Sequence, residues 1–289
     1  MIASIMQKEL KTQNSRLKTL LDSLYLKYNH KEFIPPDPLQ FVYHYKNKSD
    51  MEIAGFLSAM FAYGAVEQIQ KFLTSLFAKI GSSPSQFIKS FSARDKILFQ
   101  PLKYRFNTGS DIITLLQSLK KVLNKYDNLE NLFLEGYDQS DANIIPAAAR
   151  FISTLNLSNS SPGLKFLVSD PANGGTCKRL FLFLRWMVRD DEVDSGLWKK
   201  IDKSKLIIPV DVHMGRLSKI IGLHSKKTYN LKTAIEVTNG FAQISPDDPV
   251  KYDFALCRIG ILENCSGKPN KYCLRCELKE FCDRKSLKK

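Results

Sequence analysis

The chain has 289 residues, of which 44% are hydrophobic and 25% charged, with 43 Lys and Arg against 29 Asp and Glu. That usage is ordinary for a globular protein and excludes wholesale disorder, and the length fits one large domain or two closely packed ones. A formal charge of +14 favours a polyanionic partner, because each cation near a phosphate backbone releases condensed counterions.

The opening residues, MIASIMQKELKTQNSRLKTLL, lack the uninterrupted apolar stretch of a signal peptide. The longest apolar run, Leu180 to Val188, is broken by Arg185 and is too short to cross a bilayer. A cytoplasmic protein without membrane attachment is expected. Six cysteines in a reducing compartment then point to metal binding or chemistry before disulfides.

In chain order, Pro35, Pro36 and Pro38 set an N-terminal helix apart from the rest of the chain. Ile53, Phe56, Leu57, Met60 and Phe61 fall on one face of a helix. Val66, Ile69, Phe72, Leu73, Leu76, Phe77 and Ile80 repeat the pattern until Gly81 and Pro84 stop it. A third run, Ile112 to Leu123, comes after Ser110 and Asp111, both good N-cap types. Ser158 to Gly163 and Asp170 to Thr176 read as loops, and Ser245 to Pro249 separates the last helices. Further helical patterns cover Lys178 to Val188, Val212 to Ile221, Leu231 to Phe241 and Tyr252 to Leu262. No period-two alternation of a strand occurs, so the expected fold class is all-α.

Cys265, Cys273, Cys276 and Cys282 form C-x7-C-x2-C-x5-C within 18 residues. Four thiolates gathered by one short loop can hold a 4Fe-4S cluster or a Zn ion. Structural zinc sites usually pair their ligands in two knuckles, whereas here only Cys273 and Cys276 are close in sequence, which suits a cubane better. Cys177 and Cys257 sit in helical patterns and read as small buried apolar residues.

A cysteine loop of this shape after an all-helical chain resembles the iron–sulfur loop of the endonuclease III branch of helix-hairpin-helix DNA glycosylases. The usual spacing there has one residue fewer in the first gap. A second likeness is Ile208 to Leu217, IPVDVHMGRL, which is similar to the superfamily's VDTH stretch. That likeness implies that Asp211 is the catalytic carboxylate, while its place before an amphipathic helix equally fits an ordinary N-cap. A third is Asn173 to Leu184, NGGTCKRLFLFL, where the superfamily has a glycine hairpin leading into a helix with an early nucleophilic lysine. The matching residue is Lys178. The helix N-terminus and the adjacent Arg179 both disfavour its charged form, so a depressed pKa is expected.

Three departures from the superfamily stand out. The hairpin there usually reads LPGVG and grips a phosphate through backbone amides; this chain has Asp170-Pro171-Ala172-Asn173-Gly174-Gly175. The gap from Lys178 to Asp211 is longer, filled by RDDEVDSGLWKKIDKSK, which reads as an inserted turn and short helix. The archaeal 8-oxoguanine glycosylases have a similarly widened gap. Where the superfamily has an LSAQ-like segment facing DNA, this chain has Leu57-Ser58-Ala59-Met60, with Phe61 and Tyr63 just beyond. A core role is expected for Met60 and Phe61.

The resemblance, to a little-characterised bacterial branch of the superfamily, implies two helical lobes with the active cleft between them. Residues 38–205 would form a barrel-like lobe, residues 1–37 with 206–264 a second one, and residues 265–289 the cysteine loop and basic tail. It further implies base-excision repair by a bifunctional glycosylase and AP lyase, with Lys178 and Asp211 catalytic. Gly174, Gly175 and Arg179 would contact DNA, and the four cysteines would carry a 4Fe-4S cluster, with zinc as the alternative. The partner would be double-stranded DNA with a damaged base or abasic site, met by a monomer in the cytoplasm or on the nucleoid. Two other readings are a catalytically inactive nucleic-acid-binding helical protein and a zinc-stabilised RNA-binding module, the latter drawing on Lys285, Lys288 and Lys289. Trp186 and Trp198 read as buried aromatics, and His213 as a packed or hydrogen-bonded side chain.

Overall fold

A computed structural model describes residues 2–155, 157, 160–262 and 265–282 of the chain; Lys285, Lys288 and Lys289 lie outside the described residues. α1 (Ile2–Tyr28) buries Leu17, Leu21, Leu24 and Tyr28 along one stripe and ends ahead of the proline segment. Two 3₁₀ turns, Lys31–Phe33 and Pro38–His44, lead to α2 (Lys48–Met60), which opens on the Asn47 side chain. Ten residues of α2 are buried, the mark of a helix enclosed on all sides. α3 (Val66–Ile80) buries the predicted face except for Val66, which is exposed at its start, and stops at Gly81, whose φ of 87° favours glycine. α4 (Pro84–Ser90) and α5 (Lys96–Phe99) come next.

A short antiparallel hairpin, β1 (Lys103–Tyr104) and β2 (Asn107–Thr108), is the one sheet among the described residues. Strands of two residues are too short to write an alternating pattern, so periodicity does not reveal them. The hairpin runs into α6 (Gly109–Tyr126). The helix starts earlier than Ser110 and Asp111 implied: Thr108 is the N-cap, and Asp111 closes a capping box with it. Gly109 is held where a Cβ would collide with the Gln100 carbonyl oxygen, so α5 and α6 meet only with glycine there.

α7 (Leu129–Leu134), α8 (Ile145–Thr154) and α9 (Pro162–Leu167) complete the middle of the chain. α10 (Lys178–Val188), α11 (Val212–Ile220), α12 (Leu231–Ala242) and α13 (Asp253–Leu262) sit where the periodicity predicts. The chain is an all-α protein, and none of its described helices is long and apolar enough to cross a membrane. α10 packs on α2, α4 on α6, and α1 and α11 both rest on α13. One continuous apolar core runs through the molecule. Its aromatic centre joins Phe56, Phe133, Phe151, Phe183 and Trp198 in edge-to-face and tilted contacts. Trp186 and Trp198 are fully enclosed in this core, as are Met60 and Phe61.

Two buried polar features hold the fold from inside. Glu52, on α2, accepts the Leu129 and Glu130 backbone N–H groups at 2.8 and 3.0 Å and the Trp198 indole N–H at 2.7 Å. Burial pushes its carboxyl up to about 7, although all three donors favour the ionised form. The second feature explains the arginine inside the apolar run. Arg185 bonds Asp194 at 3.2 Å and also Asp253, while Arg189 bonds Asp194 at 2.5 Å and Asp248 at 3.0 Å. The segment between Lys178 and Asp211 thus supplies Asp194 and Trp198 to the interior. Its conformation is a bridge between Asp190 and Ser195 and a 3₁₀ turn at Lys203–Lys205, where a short helix was expected.

Candidate active site

α10 begins at Lys178, directly after Cys177, which takes a left-handed φ of 46° and is buried. α11 begins after Asp211, an extended residue whose Oδ1 accepts the Met214 backbone N–H at 2.7 Å. The other oxygen, Oδ2, accepts from Lys178 Nζ at 3.0 Å. One carboxylate therefore caps a helix and receives the amine at the same time. The two side chains keep 33% and 22% of their exposure, which leaves the pair reachable from solvent.

The electrostatics differ from expectation at the lysine. Desolvation works to lower its pKa, but the facing Asp211 carboxylate more than offsets that, and the net shift is upward. Desolvation likewise works to raise the Asp211 pKa, and Lys178 with the Met214 N–H overcome it, so the carboxyl sits below its ordinary value. The neighbouring Arg179 does not add the expected repulsion because its guanidinium points elsewhere. In the free protein the pair is ammonium and carboxylate.

Behind the pair, Asp253 opens α13 and is bonded by Arg185; burial pushes its carboxyl up to about 6. Cys257, one turn further along α13, donates its thiol loosely to Asp253 Oδ1 at 3.8 Å, and burial holds its pKa well above the usual thiol value. Cys257 is thus an un-ionised, inert thiol, as is Cys177, which burial pushes up to about 12. His213 is half-buried, and its Nδ1 has no hydrogen-bond partner among the described residues.

The remaining predicted DNA contacts divide. Gly174 and Gly175 are exposed, with open space where a Cβ would stand, and Gly174 adopts a left-handed φ of 72° after a 3₁₀ turn at Pro171–Asn173. The Gly174 carbonyl accepts the Leu231 N–H at 2.9 Å, tying this turn to the start of α12. Arg179 is committed to the protein: it bonds the Phe166 carbonyl oxygen and Ser169 Oγ, and its guanidinium lies over the Tyr63 and Phe166 rings.

A cavity of about 740 Å³ lies away from the lysine–aspartate pair and is lined by Cys265, Cys273, Cys276 and Cys282 together with Leu217 and Ile220 of α11. All four cysteines thus border one space, which fits a group bound by four thiolates. No three His, Cys, Asp or Glu side chains among the described residues already stand together as a ligand set. The loop is built from tight turns: Asn270 N–H donates to Cys273 Sγ at 3.3 Å, and Cys273 N–H returns to the Asn270 carbonyl at 3.1 Å. It is fastened to the helices by Arg216 on the Cys265 carbonyl, Lys27 on Glu277 at 2.8 Å and Arg16 on Glu280 at 3.1 Å. α11, nine residues and ~13 Å long, carries Asp211 at one end and lines the cysteine cavity with the other.

Sequence reasoning missed Glu52, whose partners come from distant segments, and the exposed pair Phe106 and Phe166, since the first stands alone at a turn and the second lies in a six-residue helix too short to show a period. No curated protein and no solved structure matches the chain. Residues 37–262 match the family described as Protein of unknown function (DUF2400), and the chain belongs to that family.

Proposed function

We propose that this chain is a DNA base-excision glycosylase with associated AP lyase activity, acting through a Schiff base on Lys178. The observation that carries the reading is the 3.0 Å contact between Lys178 Nζ and Asp211 Oδ2, which joins the two residues singled out by their motifs. The net charge of +14 supports a DNA partner.

The target nucleotide leaves the duplex and enters beside the pair. Docking of DNA removes water from both charged groups. That disfavours their ionised forms, and the Lys178 proton passes along the hydrogen bond to Asp211. The neutral amine attacks C1′; the glycosidic C–N bond breaks, and the base departs with the bonding electrons and takes up a proton. The sugar ring opens to an imine on Lys178. Loss of a C2′ proton then expels the 3′ phosphate with the C3′–O electrons, cutting the strand, and water hydrolyses the imine to restore the lysine. Asp211 gives the proton it received to the departing base, and the restored carboxylate stabilises positive charge developing on the sugar.

Cys265, Cys273, Cys276 and Cys282 would hold a 4Fe-4S cluster, with a zinc ion as the other candidate. The group would supply structure, fixing the loop against α11. The competing reading, a nucleic-acid-binding protein without chemistry, is favoured by the resting charge state of the pair, because a fully ionised bridge is also what a structural contact looks like.

Incision assays on duplexes with single oxidised bases or an abasic site separate the two. Wild type is expected to nick at least the abasic duplex and Lys178→Gln none of them. Equal nicking by both proteins on every substrate would overturn the assignment.

A further inference from the structure

Among the large apolar side chains left in solvent on the described residues, only Ile97 and Leu98 are consecutive in the chain, at 76% and 41% exposure. Both stand on α5, a helix of a single turn. Apolar residues exposed one at a time need no explanation, whereas an adjacent pair held outward does.

The pair is fixed where it stands. Phe99, the next residue, takes the inward position, fully buried against the Phe87 and Phe91 rings with centroids 5.9 and 5.8 Å away. Ahead of α5, Asp95 accepts the Ser92 N–H and hydroxyl, both at 2.7 Å. Behind it, the Leu102 N–H donates to the Phe99 carbonyl at 2.9 Å, and Gly109 of α6 presses on the Gln100 carbonyl. A turn closed at both ends and anchored by Phe99 presents Ile97 and Leu98 with little left to order on binding.

The charge around the pair selects what covers it. Arg94 and Lys103 are exposed on either side, and Lys96 is half-buried beside Ile97. Lys120 of α6 reaches the same corner, its Nζ donating to the Phe91 carbonyl at 2.7 Å. Asp95 is the one acid in residues 92–105, and it is turned to Ser92, whose two donors hold its carboxyl below the ordinary value. A second copy of this chain would bring the same cations against these. A lipid surface asks for a long apolar stripe, and α5 offers one turn with two such residues. A DNA backbone would use the cations and leave Ile97 and Leu98 in water.

We propose that α5 is a docking site for an acidic segment of a protein partner, whose large apolar side chains cover Ile97 and Leu98 while its carboxylates meet Arg94, Lys96 and Lys103. This goes beyond the glycosylase reading and does not rest on it.

The probe is a fluorescein-labelled amphipathic peptide of glutamate, alanine and leucine, followed by anisotropy. Beside it stand the same peptide with serine in place of leucine, a labelled intact duplex and phosphatidylserine vesicles. Wild type is expected to bind the leucine peptide at least roughly tenfold more tightly than the serine peptide, the worth of one buried aliphatic side chain. The double variant Ile97→Ser, Leu98→Ser should lose that preference and keep the wild-type affinity for the duplex. Both positions face solvent, so its melting curve should match that of wild type. Lys96→Glu with Lys103→Glu should weaken the leucine peptide by about tenfold or more, and added salt should do the same to wild type.

Equal binding of the two peptides by wild type would overturn the proposal, since charge alone would then explain the attraction. So would a double serine variant that keeps the preference for leucine, or one that loses the duplex or the vesicles instead. Each of these results leaves incision at an abasic site unaddressed, so the docking site and the glycosylase reading fail separately.

Discussion

Asp211 and Lys178 are 33 positions apart in the chain, yet Oδ2 of one accepts from Nζ of the other at 3.0 Å while Oδ1 caps α11. The carboxylate therefore has two separable duties. Asp211→Asn keeps a side-chain oxygen for the Met214 N–H, and its stability should stay within about 1 kcal/mol of wild type. Asp211→Ala loses the cap as well and should fall by about a further 1 kcal/mol. On DNA both should lose strand cleavage by ~10²–10⁴-fold, the range for a positioned acid–base group. Urea denaturation read beside incision rates checks both halves. A fully active Asp211→Asn would reduce the residue to a cap.

Glu52 makes stability depend on pH. Its folded-state value of about 7 lies above the ordinary 4.5, so the folded protein binds this proton more tightly than the unfolded chain does. The contribution is fully present below 4.5, declines as pH rises towards 7 and is gone above it, a change on the order of 3 kcal/mol. Glu52→Gln cannot ionise and should lose this slope. Urea midpoints at several pH values across that window, for wild type and variant, measure the difference; parallel curves would contradict it.

Asp194 is wholly buried between Arg185 and Arg189. Asp194→Ala leaves two buried guanidinium groups short of a counter-charge and should cost about 3–5 kcal/mol in chemical denaturation. A loss below about 1 kcal/mol would mean that Asp253, Asp191 and Asp248 carry the network without it.

The cysteine loop makes a compositional prediction. Protein purified without oxygen should contain iron and sulfide and absorb visible light, and Cys273→Ser should lose both and release the loop to proteolysis. A colourless protein containing one equivalent of zinc would instead support the alternative ion. Retention of the metal in the variant would exclude Cys273 as a ligand.

Helices long enough to show a period were legible in the sequence, and α3 and α10 have the bounds their apolar residues set. The lysine and the aspartate were legible because each stands at a helix start in a recognisable stretch. What pairs across the fold was not. The Lys178 pKa shift depends on a partner 33 residues away, so the local cues, a helix terminus and an adjacent arginine, pointed the wrong way. Arg179 reads as a DNA contact in the sequence, and nothing there places Phe166 and Tyr63 beneath its guanidinium. Thr108 was passed over as a cap because the hairpin that delivers it is too short to be seen.

Chemistry at the Lys178 amine is tested most directly by sodium borohydride reduction of the protein on an abasic duplex, followed by peptide mass spectrometry of the adduct. A sugar-derived mass on Lys178, absent from Lys178→Gln, is the expected result. An adduct on another lysine, or none from a well-folded wild type bound to the duplex, would contradict the account.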